Sequence, residues 1–286
     1  MSINPLVSVC CITYNHEKYI GNAIEGFLMQ KTDFPIEIII HDDCSTDDTA
    51  KIVREYQQKY PQLIYLILQT ENQYSKGKMI IPIPLKIARG KYIALCEGDD
   101  YWTDPDKLQN QVDFLESNSD YVICFHNVLV VYEEGFKQEH LRDNSAWDTY
   151  SIEQMILSND FTNPGNVTPG HTCSVLFRNH VLNNFPSWLN KSWSDDLPLF
   201  ILLTNYGLAK YINKVMGVHI IHPQGTSQAH SGIGFHFNRI EMYREINQYL
   251  DYKYHNLIKP IIVRHYIAIA RTYGSKLKHM LKMISR

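Results

Sequence analysis

An α/β chain with a mostly parallel sheet and helices on both faces is what this sequence predicts, on three observations. Short β-branched apolar runs recur through its first half, each ending in polar residues. Each run is followed by a segment whose apolar residues fall at helical spacing. The composition, 44% hydrophobic and 20% charged over 286 residues, is that of a globular chain long enough to bury a core without disulfide or metal staples. Strand alternating with helix is the pattern of a sheet covered on both sides.

The elements follow in order. Leu6–Thr13 has the length and β-branching of a buried parallel strand and runs into Tyr14-Asn15. Ile20, Ala23, Ile24, Phe27 and Leu28 mark one face of a helix. Ile36–Ile40 is a second strand, leading to His41-Asp42-Asp43. Ser45 with Asp48 three residues on has the form of a capping box for a helix through Tyr60, which Pro61 stops. Leu63–Leu68 and Lys91–Cys96 are the third and fourth strands, the latter ending at Glu97-Gly98-Asp99-Asp100. Asp104-Pro105 is an N-cap with Pro at the first helical position, and the helix it opens buries Leu108, Val112 and Leu115. Tyr121–Tyr132 is another strand. Beyond Glu133 the chain turns polar, with one helix near Ile152–Leu157, a strand over Thr172–Phe177, a helix over Asp195–Tyr206 and a strand over Val215–Ile221. A Gly/Ser-rich loop spans 223–234. Residues from 235 to 283 read as helical, with Pro260 and Gly274 breaking any single long helix.

Charge and cysteine usage narrow the function. A formal net charge of −3 argues against a nucleic-acid binder that uses its whole surface. None of the six cysteines forms a C-x-x-C, so buried free thiols in a reducing compartment are expected. No secretory leader is apparent, and no apolar stretch reaches the roughly 20 residues that span a bilayer. The expected location is the cytoplasm, or peripherally the inner face of the cell membrane. From Lys253 onward there are eight Lys and Arg and no Asp or Glu, interleaved with aliphatic residues. Such a one-sign mixture suits an anionic membrane surface.

In open α/β sheets, ligands bind outside the carboxyl ends of the strands. Three strands end in polar clusters there: Thr13-Tyr14-Asn15, Asp42-Asp43 and Glu97-Gly98-Asp99-Asp100. One such cluster would be ordinary cap and turn residues. Three, on the first, second and fourth strands, crowd carboxylates onto one edge, a cost that a hard cation such as Mg²⁺ or Mn²⁺ relieves. No P-loop and no G-x-G-x-x-G follows the first strand, which counts against ATPase and dinucleotide readings.

Four segments together resemble the bacterial family 2 glycosyltransferases of GT-A fold. These are Val9–Asn15 with Tyr19-Ile20, Ala23-Ile24 and Gln30; E-I-I-I-H-D-D-C-S-T-D-D from Glu37; Ala88–Ile93; and Glu97-Gly98-Asp99-Asp100-Tyr101-Trp102. The resemblance is close over about residues 6–116 and looser to about 227. It implies a catalytic domain over 1–234, with a nucleotide-sugar-binding half at about 1–132 and an acceptor half at 133–234, and a helical basic extension over 235–286. It implies that Thr13, Tyr14, Asn15 and Asp43 line the base and ribose pocket of a UDP-sugar. Glu97 takes the first place of the family's D-x-D, with Asp99 and Asp100 as metal ligands for Mn²⁺ or Mg²⁺. Where relatives carry an Arg-Asn pair, Ile80–Pro84 stands here, so Lys76 or Lys78 takes the diphosphate. Asp195-Asp196 resembles the family's acidic pair before an apolar helix, with Asp196 as catalytic base and Asp195 its neighbour. A helix cap needs only one acid, and a carboxylate at a helix N-terminus can accept a hydroxyl proton. His222 matches a histidine that faces the metal. Strand alternation puts His219 on the other face, so the two have separate roles. Gly170–Ser174, with His171, and the rings of Trp188 and Trp193 suit the acceptor side. The implied activity is metal-dependent, inverting transfer of a sugar to a saccharide or lipid-linked saccharide in bacterial surface polysaccharide synthesis, with no nucleic-acid partner. The alternatives are a nucleotidyltransferase of similar sheet topology and a sugar-nucleotide binder without turnover.

Overall fold

The structure, a computed structural model, describes residues 4–133, 138–140, 147–160, 162, 170–179, 186, 188–189, 196–225 and 232–284, with the backbone alone at 138–140 and 275–284. The first half alternates as expected: β1 (Val7–Thr13), α1 (Ile20–Leu28), β2 (Ile36–Asp42), α2 (Thr49–Lys59), β3 (Ile64–Leu68), the short α3 (Pro82–Leu85), β4 (Tyr92–Glu97), the two-residue β5 (Tyr101–Trp102), α4 (Lys107–Ser117) and β6 (Tyr121–Tyr132). After it come β7 (Gln138–His140), β8 (Thr149–Tyr150), α5 (Ile152–Ser158), β9 (Leu176–Arg178), α6 (Asp196–Thr204), β10 (Leu208–Ile221), α7 (Gly232–Tyr249) and α8 (His255–Ile284).

The sheet runs β3-β2-β1-β4-β9-β6-β10-β5, with β7 on β6 and β8 on β10. β1, β2, β3 and β4 pair in parallel, Cys11 facing both Ile40 and Cys96. β6 and β10 are also parallel. The sheet is nevertheless mixed, because β9 lies antiparallel between β4 and β6. The single strand expected over 172–177 is divided: Thr172–Ser174 form a 3₁₀ turn, and β9 starts only at Leu176. That turn enters from the edge where β4 and β6 end, so no crossover carries the chain back to run parallel.

Strand alternation sends successive side chains to opposite faces. Val7, Val9 and Cys11 join Ile20, Phe27, Val53, Leu108 and Leu115 in a cluster under α1, α2 and α4. Cys10, Ile39, Ile93 and Leu95 join Met155, Phe200, Tyr243 and Ile258 under α5 to α8. Each fully buried aliphatic or aromatic side chain contributes about 1.5–3 kcal/mol relative to exposure. All six thiols are free, and all but Cys44 are buried.

Several boundaries differ from expectation. α2 opens at Thr49, not behind Ser45. Asp47 Oδ1 accepts from Thr49 N–H at 3.0 Å, and the Ser45 hydroxyl serves Asn15 and Asp42 instead. α4 opens at Lys107, and Asp104 caps the turn before it through Asp106 N–H at 2.9 Å. β10 starts seven residues earlier than the apolar run indicated. Register shifts near Ile212, Val215 and Gly217 leave Asn213–Val215 exposed and hide the strand's alternation. α8 passes through both Pro260 and Gly274. A proline inside a helix costs about 3 kcal/mol, and burial of Ile258 and Ile261 in the core offsets it. α7 and α8 therefore complete the larger hydrophobic cluster. Among the described residues no helix is long and apolar enough to cross a membrane.

Candidate functional site

The site forms where β1, β2 and β4 end together. Asn15 takes a left-handed φ of +56°, which asparagine tolerates. Its N–H donates to Ser45 Oγ at 2.8 Å, and its Oδ1 accepts from Thr46 N–H at 2.8 Å. His16 N–H donates to Thr49 Oγ1, and Asp48 N–H to Glu17 Oε2. The loops after β1 and β2 are thus stitched together, and the stitching aims His16 back over the strand ends. Thr13 is buried, and its Oγ1 has no partner. Gly98 lies against it, where a Cβ would sit 2.6 Å from that oxygen, so only glycine fits. Tyr14 is exposed. Asp43 is fully buried, and its two oxygens accept Gln73 N–H at 2.8 Å and Tyr74 N–H at 2.9 Å. Lys78, on the same connector, is exposed and donates to Gln73 Oε1.

His222 Nε2 lies 3.0 Å from Asp99 Oδ2, and His16 Nε2 lies 3.6 Å from the same oxygen. One ligand atom from each of His16, Asp99 and His222 falls within 4.8 Å of the others. Burial pushes the Asp99 carboxyl up, but the His222 hydrogen bond and the fields of His16, His219 and His222 outweigh it and hold the group below its ordinary range. The bond to Asp99 raises His222 against a smaller effect of burial. Burial lowers His16, and Asp99 only partly opposes this. His16 Nδ1 is buried and makes no hydrogen bond, and Nε2 is the nitrogen that faces Asp99. Two imidazole nitrogens and one carboxylate oxygen fit a divalent first-row transition ion such as Mn²⁺, and fit all-oxygen Mg²⁺ less well.

Asp100 points elsewhere. His219 Nδ1 sits 3.0 Å from each of its oxygens, and Ile220 N–H donates to Oδ1 at 2.9 Å. Burial opposes charge on His219, but Asp100, with Glu97 and Asp99 behind it, raises it to about 9. His171 stacks on the His219 ring with centroids 4.2 Å apart, and burial keeps it well below its ordinary value. His219 and His222 thus have separate partners, as strand alternation implied.

Glu97 connects the cluster to α6. Burial, then Asp100, Asp99 and Asp196, push its carboxyl well above the usual range. Asp196 opens α6, with Oδ1 accepting Leu197 N–H at 2.8 Å and Oδ2 accepting the Thr172 hydroxyl at 3.1 Å. The arrangement sets the His16–Asp99–His222 group, which could hold a cation, and the Asp196 carboxylate on two sides of Glu97. Of the sequence-derived residues it brings together Asp99 with His222 and Glu97 with Asp196. Asp195 and Trp193 lie outside the described residues, and Trp188 is half-buried against the core. His16 and Thr172 were not singled out as site residues from sequence. His16 directly follows the polar end of β1, which is the available signal. Thr172 carries none beyond its place in Gly170–Ser174.

A family model described as "Glycosyl transferase family 2" matches residues 8–184. An uncharacterized protein of Mycobacterium tuberculosis is 44% identical over 155 residues, 54% of this chain and 44% of the relative. An Escherichia coli protein described as a UDP-Glc:α-D-GlcNAc-diphosphoundecaprenol β-1,3-glucosyltransferase is 40% identical over 113 residues, 39% of this chain and 42% of the relative. The chain thus spans less than half the length of these curated relatives. Among solved structures, the 1–349 fragment of S. aureus TarS in complex with UDP-GlcNAc superposes with a TM-score of 0.62 at 20% identity, over 95% of this chain and 75% of that one. That likeness shows a shared fold.

Proposed function

The chain belongs to glycosyl transferase family 2, and from that premise we propose that it transfers a sugar, with inversion, from a UDP-sugar to a hydroxyl of a saccharide or lipid-linked saccharide in bacterial surface polysaccharide synthesis. The observation that carries this reading is the placement of Asp196 on the same edge as the His16–Asp99–His222 cluster, with Glu97 between them. The E. coli relative's lipid-diphosphate acceptor and the TarS complex with UDP-GlcNAc support the acceptor and donor classes.

In the proposed reaction, Thr13 and Asn15 line the nucleoside side, Tyr14 offers an exposed ring there and Lys78 takes the diphosphate. Asp43 shapes the same pocket through the Gln73 and Tyr74 N–H groups that it holds. His16, Asp99 and His222 would hold a divalent ion that neutralises charge on the departing diphosphate. Asp196 accepts the proton of the acceptor hydroxyl. That oxygen attacks the anomeric carbon from the face opposite the diphosphate, the C–O bond to phosphate breaks, and UDP leaves with the bonding pair. No covalent enzyme intermediate is formed. Asp100 orders β10 through His219 and the Ile220 N–H. His171 backs the acceptor side.

The exposed face of α8 presents Lys259, Val263, Ile267 and Arg271. This face meets an anionic lipid surface and holds the protein at the cytoplasmic side of the membrane. The experiment that tests the activity is UDP release from a panel of UDP-sugars with Mn²⁺ and saccharide acceptors, on wild type and Asp196→Asn. The substitution keeps shape and loses proton acceptance, so turnover falls roughly a hundred-fold or more while thermal stabilisation by UDP-sugar persists. Full turnover in Asp196→Asn overturns the assignment of the base.

A further inference from the structure

Asp196 is the first residue of α6, and neither of its oxygens is left to rotate. The Leu197 N–H holds Oδ1 at 2.8 Å, and the Thr172 hydroxyl, which also reaches the Glu97 carboxyl, holds Oδ2 at 3.1 Å. Thr172 stands on a short 3₁₀ turn, Thr172–Ser174, that is itself pinned from several sides. Trp102 Nε1 donates to Cys173 O at 2.7 Å. Gln111 Nε2 donates to Ser174 O at 2.9 Å, and the buried Lys107 holds Gln111 by Oε1 at 2.8 Å. Within the turn, Ser174 N–H and its hydroxyl both reach His171 O. Trp102 lies three residues after Asp99 in the chain. One rigid turn therefore ties the segment that follows the metal ligand to the carboxylate of α6.

We infer that Thr172 is a positioning residue for the transfer step: its hydroxyl selects the orientation of the Asp196 carboxylate, and the Trp102–Cys173 bond sets that orientation relative to Asp99. This rests on the reading of Asp196 as the base. A carboxylate free to turn about its Cβ–Cγ bond spends less time aimed at the acceptor, and rate falls while donor binding is untouched. The hydroxyl is the functional part of Thr172. Valine keeps its volume and branching and removes the donor, and serine keeps the donor and removes only a methyl group.

The test compares steady-state kinetics of Thr172→Val, Thr172→Ser and Trp102→Phe, each also in an Asp196→Asn background, with melting temperature recorded for every protein. Thr172→Val lowers kcat about ten-fold with donor KM unchanged, the loss expected for a misplaced catalytic group. Thr172→Ser stays within about two-fold of wild type, and Trp102→Phe shows a smaller loss of the same kind. In the Asp196→Asn background, Thr172→Val has no further effect, because the group it orients is already gone. A Thr172→Val enzyme with wild-type kcat, a Thr172→Ser enzyme as poor as Thr172→Val, or a full additional loss in the Asp196→Asn background overturns the role of Thr172 while the base assignment stands. An active Asp196→Asn enzyme overturns the base reading itself, and with it this inference.

Discussion

The edge assigned to the donor and the edge assigned to the acceptor are held by different kinds of structure. On the donor side, three parallel strands in register end side by side, and the loops leaving β1 and β2 are cross-bonded through Asn15, Ser45, Thr46 and Thr49. On the acceptor side, the Asp196 carboxylate is held by side-chain and helix-start contacts, among them the Thr172 hydroxyl and the Leu197 N–H. Backbone pairing repeated over seven residues is more redundant than contacts made one atom at a time. The donor side therefore tolerates change around its ligands, and the acceptor side transmits small changes directly to the reacting group.

The largest expected effect attacks the redundant side at its one irreplaceable point. Asp99→Ala leaves the fold intact, because Asp99 lies beyond the end of β4, yet it removes the only carboxylate of the three-ligand cluster. Calorimetric Mn²⁺ binding should disappear and turnover fall roughly a thousand-fold. His16→Ala, which removes one imidazole, should weaken Mn²⁺ binding about ten- to a hundred-fold and Mg²⁺ binding much less. Equal losses for the two ions would show that His16 is not a ligand. The Asp196→Asn loss described above comes next in size.

A smaller effect concerns the helices that close the acceptor side. Removing the last helix is not a usable test, since Ile258 and Ile261 belong to the core. Lys259→Gln with Arg271→Gln changes only exposed cations. At about 1 kcal/mol per cation near the surface, co-sedimentation with phosphatidylserine-containing vesicles should weaken about 30-fold and wild-type binding should fall with salt. Binding by the double variant equal to wild type would sever this face from the membrane.

The smallest effect is thermodynamic. His219 is raised to about 9 by Asp100, against about 6.5 in an unfolded chain. The folded state holds the proton more tightly, so this stabilisation is complete below about pH 6.5 and is lost as pH rises toward 9, on the order of 1–3 kcal/mol. The melting temperature of wild type should fall by a few degrees over that window, and His219→Gln should flatten the slope. An unchanged slope would mean that the Asp100–His219 pair is not ionic.

The contrast also explains what was legible in the sequence. β1, β2 and β4 could be read because buried parallel strands are short, β-branched and bounded by polar residues, and their ends located Thr13, Asp43 and Asp99. β9 was misread because a 3₁₀ turn and a three-residue antiparallel strand together have the composition of one strand. Asp100 was grouped with Asp99 on adjacency, but in the turn that follows β4 the two carboxylates diverge, Asp99 to His222 and Asp100 to His219 and the Ile220 N–H. His16 escaped because its approach to Asp99 depends on a left-handed Asn15 and on bonds to residues 45–49, which lie about thirty positions away in the chain. Thr172 meets Asp196, 24 positions further along the chain, a distance over which no periodicity speaks.

The position of α7 and α8 in the core has a consequence for timing. The cluster under α1, α2 and α4 draws its buried members from Val7 to Leu176. The other draws them from Cys10 to Ile261. During synthesis the first layer can close while the chain is still emerging from the ribosome. The second face of the same strands stays only partly covered, by α5 and α6, until the helix bearing Ile258 and Ile261 has cleared the exit tunnel. For that interval the nascent protein carries a half-covered sheet, the state in which a chaperone has most to hold.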